Sequence, residues 1–529
     1  MIHRKFVLHL PQPQTLCKHV GSGTAEADSM RPELVIGLVG PIGCDISIVE
    51  KAIAAALKQV DYRTKHISLS DGIADLLEEK TEERPALNSL AEKIASGNEV
   101  RRLYSKNGIL AAYAIAKIRE QRAEVASELG FEPPENATQE EMRVADAAYI
   151  VRQFKRPEEI QLMRKIYGPA FIQVSVTQNR QERISNLIGR LGREDPGLKP
   201  DEREAEAKKL IRQDENEDDD DYGQRLTKIF HLADVFIEAK GEEFTSSTCV
   251  RFINALFGRN NIAPTKDEFG SFMAKSASLR SVDLSRQVGA AILSQDGDLI
   301  TVGCNEVPKP DGGNYWDEDP SKKRDIDKGG EANKEETSRI IYDFLKTLSD
   351  HEMLVDGKKP NDLLRDASLS KAISDSMIGE ITEYGRMVHA EMNAISDAAR
   401  LGRSVRGATL YVTTFPCHNC AKHIIACGVS RVVFIEPYPK SRTELLYGDL
   451  VSIGEHEEGK VEFEHFSGIS PSRFSAIFEK SRRRSRTTGE IEDWYQGECR
   501  PRIGEQEIDY ITSEAHAILD NFPAGDGEP

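Results

Sequence analysis

Apolar runs of strand length alternate with amphipathic segments through the first half of the chain. Residues 34–39 are continuously apolar and rich in valine and isoleucine, as in a strand buried on both faces of a parallel sheet. Further strands are predicted near Ile67 and Tyr149 and from Phe171 and Ala233. The amphipathic segments between these strands predict helices at 49–57, 86–98, 102–122, 157–166 and 179–192. Strands alternating with helices of this length favour an open parallel α/β sheet.

The second half of the chain has a different order of elements. Residues 287–305 predict a hairpin of two apolar strands around an Asp-Gly turn. After a polar stretch, a helix is predicted at 335–348. Residues 408–415 and 431–435 predict strands on either side of a helix at 417–427, which forms a short β-α-β unit.

Composition places the chain among soluble, multidomain proteins. Its 529 residues are too many for one hydrophobic core, and 39% hydrophobic with 30% charged residues excludes wholesale disorder. The longest apolar runs fall well short of a membrane span, so no membrane partner is expected. A net charge of −18 argues against a stable nucleic-acid complex, because phosphate backbones favour clustered lysine and arginine. Eight scattered cysteines indicate a reducing cytoplasm rather than a disulfide framework.

Shifts in composition predict the domain boundaries. We expect a flexible tail at 1–30, a first domain at 31–245, a second domain at 264–475 and a basic, then polar tail at 476–529. A surface insertion at about 306–380 interrupts the second domain. The acidic stretch before the end of the first domain predicts a solvated insertion or a helical lid, with an acidic regulatory element as the alternative.

The clearest chemical signal is a pair of motifs with metal-ligand spacing. HAEMNAI begins at His389, and PCHNC places Cys417 and Cys420 after it, with the first cysteine 28 residues beyond the histidine. A catalytic zinc takes three protein ligands and leaves the fourth position to water, and these three residues supply the ligands. The order H-x-E and then P-C-x-x-C is the signature of zinc-dependent base deaminases.

The spacing within the motifs assigns their roles. Cys417 and Cys420 are three residues apart at a predicted helix start, so both thiolates face one metal. His389 and Glu391 are two residues apart, which makes them poor neighbouring ligands on a helix. We therefore predict that the histidine binds zinc while Glu391 serves as the catalytic acid and base that handles the proton of the attacking water.

Three segments strongly resemble the cytidine and deoxycytidylate deaminase family: HAEMNAI, YVTTFPCHNCAKHIIACGVSRVVFIEPYPKS and SRQVGAAILSQDGDLITVGCNEVP. The resemblance spans roughly residues 265 to 475 and implies a cytidine-deaminase-like α/β/α domain that deaminates dCMP or dCTP. By the same resemblance Asn305 holds the sugar or phosphate side of the substrate, and Arg280 and Arg286 are candidate phosphate contacts. We add Phe415, next to the first zinc cysteine, as a further substrate contact.

The whole chain resembles bacterial anti-phage dCTP deaminases, in which a P-loop NTPase- or kinase-like parallel sheet precedes the deaminase domain. This resemblance implies that the protein depletes deoxycytidine nucleotides and so starves phage replication. Relatives assemble as hexamers or smaller oligomers, so we expect a homo-oligomer.

A glycine-rich segment stands where a phosphate-binding loop belongs, between the first strand and its helix. In GLVGPIGCDIS, Gly37, Gly40 and Gly43 could present backbone N–H groups to an anion, and Ser47 stands at the hydroxyl position. The lysine that would reach the β- and γ-phosphates is missing, and Asp45 adds a repelling charge. We predict nucleotide binding without vigorous hydrolysis, with a nucleoside triphosphate as an effector of the deaminase. The alternative is a glycine-rich turn that serves only packing.

Two alternative functions share these motifs. Deamination of cytosine or adenine in RNA or DNA uses the same zinc site but calls for a basic, aromatic strand channel, whereas this chain is acidic and has two tryptophans. A non-enzymatic nucleotide sensor would use the zinc only as a structural ion.

Overall fold

The computed structural model describes most of the chain, and the flexible tail predicted at 1–30 lies outside the described residues. The described residues are 31–128, 143–215, 217, 220–355, 358–374, 376–379, 381–438, 440–480, 483–491, 500–504 and 510–522. No helix in these ranges is both long and apolar enough to cross a membrane.

Twelve strands occur in the described residues, and those predicted from the apolar runs are confirmed. They are β1 (Leu34–Val39), β2 (Arg63–Ser68), β3 (Ala147–Arg152), β4 (Phe171–Thr177), β5 (Val235–Glu238), β6 (Gly289–Leu293), β7 (Leu299–Cys304), β8 (Thr409–Thr414), β9 (Arg431–Glu436), β10 (Val451–Ile453), β11 (Val461–His465) and β12 (Gly468–Ile469).

The seven predicted helices are present, with ends shifted by up to seven residues, and the described residues contain further helices that were not predicted. They are α1 (Ile46–Lys58), α2 (Leu69–Thr81), α3 (Leu90–Tyr104), α4 (Ile109–Glu128), α5 (Pro157–Tyr167), α6 (Arg180–Glu194), α7 (Pro200–Glu215), α8 (Glu242–Leu256), α9 (Lys266–Ser278), α10 (Asp325–Lys328), α11 (Ala332–Asp350), α12 (Pro360–Arg365), α13 (Ala367–Ser374), α14 (Ala390–Arg400), α15 (His418–Ala426), α16 (Thr443–Tyr447), α17 (Phe474–Phe478) and α18 (Tyr510–Asn521). Three short 3₁₀ turns lie at Gly168–Ala170, Leu226–Lys228 and Phe230–Leu232.

Two compact units divide the chain, and the division differs from the predicted one at its C-terminal end. The first unit contains the residues up to Glu268 and those from His465 onward, and the second runs from Phe269 to Glu464. The chain returns to the first unit because β12 pairs antiparallel with β5, and the Ile469 N–H donates to the buried Glu268 carboxylate at 2.9 Å. Strand β12 and the start of α17, which fall within the predicted second domain, therefore belong to the first unit. The segment predicted as a polar tail contributes the end of α17 and helix α18.

The first unit is an open sheet in the order β12-β5-β4-β1-β3-β2, in which β1 to β5 are parallel. Strand β1 is fully buried, as its continuous apolar sequence requires. From β1 the chain runs through α1 and passes β3 to reach β2. From β3 it runs through α5 and passes β1 to reach β4. Adjacent strands β1 and β3 thus send the chain in opposite directions, and a crevice forms at their carboxyl ends.

The C-terminal helix α18 is held to the first unit by buried charges. Arg122 on α4 donates from Nε to Glu33 at 2.9 Å and from one terminal nitrogen to Glu514 at 2.7 Å. The hydroxyl of Tyr510 donates to the same Glu33 carboxylate at 2.6 Å. Each of these groups is at most 7% exposed. Arg122 therefore neutralises two carboxylates that water does not reach, and the sequence pattern gave no sign of this network.

The second unit is a sheet in the order β10-β11-β9-β8-β6-β7 with helices on both faces. The predicted hairpin is confirmed as the antiparallel pair β6 and β7, and β8 and β9 form the parallel pair of the predicted β-α-β unit. Two glycines permit close helix packing. A Cβ on Gly289 would lie 2.0 Å from the Ala274 carbonyl oxygen on α9, and one on Gly303 would lie 2.3 Å from the Ala390 carbonyl oxygen at the start of α14. These glycines face opposite sides of the sheet, so α9 and α14 cover opposite faces.

Replacing Arg122 with alanine is expected to destabilise the first unit strongly, because Glu33 and Glu514 would remain buried without a counter-charge. Loss of one partner from a buried ionic network costs about 3–5 kcal/mol of unfolding free energy. Differential scanning calorimetry of the full chain would record this as a lower transition temperature. Lys208→Ala is the matched control, since this lysine pairs with Glu204 on the solvent-exposed side of α7. Equal transition temperatures in the two variants would contradict the large contribution to stability that we expect from the buried ionic network.

Candidate metal and substrate site

Three potential metal ligands meet in the second unit. Nδ1 of His389 lies 3.4 Å from Sγ of Cys417 and 3.4 Å from Sγ of Cys420, and the three ligand atoms lie within 4.8 Å of one another. No other group of three such ligand atoms is found in the part of the chain that the structure describes. One imidazole nitrogen and two thiol sulfurs at this separation are a donor set that fits zinc in a catalytic site, with one position left for solvent.

Helix starts place these ligand atoms. His389 is the residue before α14, and Cys417 is the residue before α15, so each precedes the positive end of a helix. Cys420 follows in the first turn of α15 and is fully buried. Helix N-termini favour the thiolate form that metal binding requires. The two motifs, 28 residues apart in sequence, therefore converge through the starts of two packed helices.

The three groups share protons in the metal-free protein. Hydrogen bonds from Cys420 and His389 lower the pKa of the Cys417 thiol to about 3. The bond to Cys417, together with burial, raises the pKa of the Cys420 thiol far above its usual range. The bond to the Cys417 thiolate raises the pKa of His389 to about 9. One thiolate and one imidazolium thus face each other at neutral pH, and the second thiol keeps its proton.

Glu391 lies beside the three ligand atoms but is not among them. It stands in the first turn of α14, is 4% exposed, and its carboxyl group hydrogen-bonds with the Cys420 thiol. Burial raises the pKa of this carboxyl, and the nearby His389 partly opposes that shift. The raised pKa makes this buried carboxyl bind a proton more readily than an exposed glutamate does, which suits a group that takes up and returns a proton during catalysis.

A pocket of about 480 Å³ opens above these groups. Its wall includes His389, Glu391 and Cys417 and three of the four predicted substrate residues, which are Asn305, Arg286 and Phe415. The fourth predicted residue, Arg280, is not part of the wall. Its guanidinium stacks on the Trp316 ring at 3.6 Å instead.

Asn305 holds the segment that carries Arg286. Its Oδ1 accepts from the Val288 N–H at 2.7 Å, and its Nδ2 donates to the Arg286 carbonyl at 2.9 Å. One amide hydrogen and one lone pair remain for a ligand. The Arg286 side chain lies over the Tyr438 ring and 3.6 Å from Glu436.

Several pocket residues escaped the analysis of the sequence. Asp325 and Asn333 line the pocket from within the predicted insertion, and Arg386 lines it from just after the insertion. Nothing in the local pattern of that polar segment marks these positions. Tyr438 and Arg442 follow strand β9, and their position after the carboxyl end of a strand in the β-α-β unit was the available signal.

The glycine loop of the first unit departs from the predicted phosphate cradle. Gly37 lies inside β1, where a Cβ would come within 2.7 Å of the Phe171 ring, so it serves packing and offers no loop N–H. A Cβ on Gly40 would come within 2.6 Å of Ile46, whereas Gly43 has a φ of +87° and, with Ser47, lines a cavity.

Protein acceptors already bind most of the N–H groups around this loop. The Ile42 N–H donates to the Asp214 carboxylate at 2.7 Å, and the Asp45 carboxylate accepts from the Ile48 N–H at the start of α1. Lys155, from the loop after β3, contacts the same Asp214 at 2.5 Å and the Gly40 carbonyl at 2.9 Å. The Asp214 carboxylate thus lies where a nucleotide-binding loop would hold the phosphate, and Lys155 lies where the lysine of such a loop would contact it.

Comparison with known proteins agrees with the geometry of the second unit. Residues 264–436 match the family model of the cytidine and deoxycytidylate deaminase zinc-binding region. This match confirms the family resemblance of the C-terminal part of the chain. The resemblance of the whole chain to bacterial anti-phage dCTP deaminases remains a prediction.

Individual relatives match over short stretches. The deoxycytidylate deaminase of Enterobacteria phage T2 is 51% identical over 55 residues, and the human deoxycytidylate deaminase is 43% identical over 54 residues. Each match covers 10% of this chain and 29% of the relative, so the chain spans under a third of the length of these two relatives. The dCMP deaminase of cyanophage S-TIM5, solved with dCMP and dUMP, is 18% identical with a TM-score of 0.22, and the match covers 39% of this chain and all of that one.

Zinc added to the metal-free protein at pH 7 is expected to release about two protons. His389 and Cys420 must each lose a proton to bind the metal, whereas Cys417 is already ionised. Zinc affinity should therefore fall as the pH is lowered. Isothermal titration calorimetry in buffers of different ionisation enthalpy measures the proton count. The variant Cys427→Ser is the control, since this cysteine lies at the far end of α15 and should leave the count unchanged. Binding without proton release would contradict the assigned ligands.

Proposed function

We propose that the protein is a zinc-dependent hydrolase that deaminates deoxycytidine nucleotides, converting dCTP to dUTP, dCMP to dUMP, or both, with release of ammonia. The observation that carries this proposal is the buried Glu391 carboxyl beside the cluster of His389, Cys417 and Cys420 at the base of a pocket of nucleotide size. The relatives reported above are named deoxycytidylate deaminases, which supports the substrate class.

His389, Cys417 and Cys420 would hold the zinc ion, which when bound supplies Lewis acidity that lowers the pKa of water. Glu391 accepts the proton of the water that adds to C4 of the pyrimidine ring. It delivers this proton to the ring nitrogen N3. In the second half of the reaction it transfers the remaining proton of the added hydroxyl group to the departing amino group. The C4–N bond breaks, ammonia leaves, and the uracil carbonyl remains.

The pocket wall supplies groups that suit the rest of the nucleotide. Phe415 packs edge-on against Phe434 at 4.9 Å between ring centres, which fixes its ring beside Cys417 as an apolar contact for the pyrimidine. Arg286 and Arg442 bring two guanidinium groups to the wall, and arginine binds phosphate oxygens with paired hydrogen bonds. We assign phosphate binding to these arginines and withdraw Arg280 from that role.

We further propose a cellular role from the resemblance to bacterial anti-phage dCTP deaminases. Deamination in the cytoplasm would deplete deoxycytidine nucleotides that phage replication needs. A nucleoside triphosphate at the first unit would act as the effector of this activity, and the active form would be a homo-oligomer.

Replacing Glu391 with alanine is expected to lower kcat/KM for deamination by about 10²–10⁴, the usual contribution of general acid–base catalysis. The metal content should stay unchanged, because Glu391 is not one of the three ligands. Uracil nucleotide and ammonia formation from dCTP and dCMP measure the activity, and elemental analysis measures the zinc. Activity that survives the substitution would contradict the role of Glu391.

The same assay decides among the functions that share this zinc site. Single-stranded DNA and RNA oligonucleotides are included as substrates, and deamination of these but not of dCTP or dCMP would favour the nucleic-acid deaminase. Intact zinc with no deamination of any substrate by the wild-type chain would favour the nucleotide sensor.

Replacing Arg286 with glutamine is expected to raise KM for the nucleotide substrate by about ten- to hundredfold, because a charged hydrogen bond to phosphate is worth about 1.5–3 kcal/mol. The effect should vanish with deoxycytidine, which has no phosphate. Arg280→Gln is the matched control, since Arg280 lies outside the pocket wall and stacks on Trp316. Equal effects of the two substitutions would contradict the assignment.

A further inference from the structure

The first unit contains a second large cavity, with a volume of about 690 Å³. It opens at the carboxyl ends of the parallel strands. Its wall includes residues 42–47 after β1, 68–71 at the end of β2, and Arg152, Gln153 and Lys155 at the end of β3. Strands β1 and β3 are the adjacent pair whose connections diverge, which is where open α/β sheets bind their ligands. The volume lies in the range of about 300–1,000 Å³ typical of small-molecule sites.

The charge of the cavity wall is opposite to that of the chain. Six basic residues line it against three acidic ones, although the whole chain carries a net charge of −18. The basic residues are Lys93, Arg101, Arg152, Lys155, Arg190 and Arg193, and the acidic ones are Asp45, Asp71 and Asp214. Positive charge concentrated in a cleft attracts anions.

Two of the basic residues are available to a ligand. Ion pairs within the protein engage Arg101, Arg152, Lys155 and Arg190. In contrast, the side chains of Lys93 on α3 and Arg193 on α6 have no ionic or hydrogen-bonded partner among the described residues. An anionic ligand in the cavity would give these two charges a partner, whereas the glycine loop already has the Asp214 carboxylate on its Ile42 N–H.

Buried polar atoms and an apolar patch complete the wall. Arg101 is 2% exposed and Gln224 is 7% exposed, and Arg101 Nε and Gln224 Oε1 have no hydrogen-bond partner among the described residues. Buried polar atoms are normally satisfied, so unpaired ones beside a cavity indicate a missing ligand or water. The apolar side chains of Ile73, Ile94 and Leu110 also line the cavity and offer a surface for a planar base.

We propose that this cavity binds a nucleoside triphosphate with its phosphates on Lys93 and Arg193 and not on the glycine loop, which Asp214 closes. The proposal rests on the effector function proposed above and names its site. Its chemistry is that of a polyphosphate chain attached to an apolar ring, so inorganic tripolyphosphate should bind more weakly than a nucleotide.

The test measures binding of ATP, GTP and tripolyphosphate to the zinc-loaded full chain by isothermal titration calorimetry. We expect at least one nucleotide to bind, and the double substitution Lys93→Gln with Arg193→Gln to weaken its binding at least tenfold. Lys208→Gln, on the outer side of α7, is the control and should have no effect. Since Lys93 and Arg193 have no partners to lose, thermal unfolding of the double variant should match that of the wild type.

Three outcomes would overturn the proposal. They are no binding of any of the three probes, binding that is unchanged in the double variant, and tighter binding to tripolyphosphate than to both nucleotides. The Asp214→Asn variant gives a further check. If it binds the nucleotide more tightly and the double substitution does not reduce that gain, the phosphates lie on the glycine loop and the proposal is wrong.

Deamination of dCTP and dCMP is assayed on the same samples. Its loss with nucleotide binding intact would contradict the catalytic proposal alone.

Discussion

The site of the second unit depends on two helices that start at one point in space. First-turn side chains lean towards the helix N-terminus, so residues at and just before the starts of α14 and α15 project into a shared volume. The ligand atoms of His389, Cys417 and Cys420 lie within 4.8 Å of one another, while one helical turn is about 5.4 Å long. A slip of either helix by one turn would separate them. Gly303 on β7 allows α14 to pack close to the sheet, because any larger residue would collide with the Ala390 backbone.

The two units differ in how charge is compensated at the helix starts beside their sheet edges. In the second unit, a buried carboxyl and two thiols are brought together at helix starts, an arrangement that is stable only if protons or a cation compensate the negative charge. In the first unit, the helix start after β1 is already compensated, since Asp45 caps α1 and Asp214 accepts from the Ile42 N–H. Lys155, from the loop after the adjacent strand β3, pairs with the same Asp214.

Much of the fold could be read from local patterns. The apolar runs near Tyr149 and Phe171 form buried strands, because a strand inside a parallel sheet needs apolar side chains on both faces. The strand at Ile67 lies at the sheet edge, and of its residues only Ile67 is buried. The C-terminal boundary could not be read this way. Strand β12 is two residues long, and its place is set by pairing with β5, about 230 residues earlier. Helix α18 is fixed by contacts with Arg122, which no local window contains.

The sequence by itself determined the identity and order of the reactive groups: one histidine, one glutamate and two cysteines, with helix starts at the positions their spacing requires. Metal chemistry constrains residue type and short-range spacing, and both are written in the chain. The tertiary structure alone decided which remaining polar residues line the pocket. In the folded protein Arg280 stacks on Trp316, Asp325 and Arg386 line the pocket, and the Asp214 carboxylate accepts a hydrogen bond from the glycine loop. These outcomes depend on long-range packing and on competition between internal and external anions, which residue order does not encode locally.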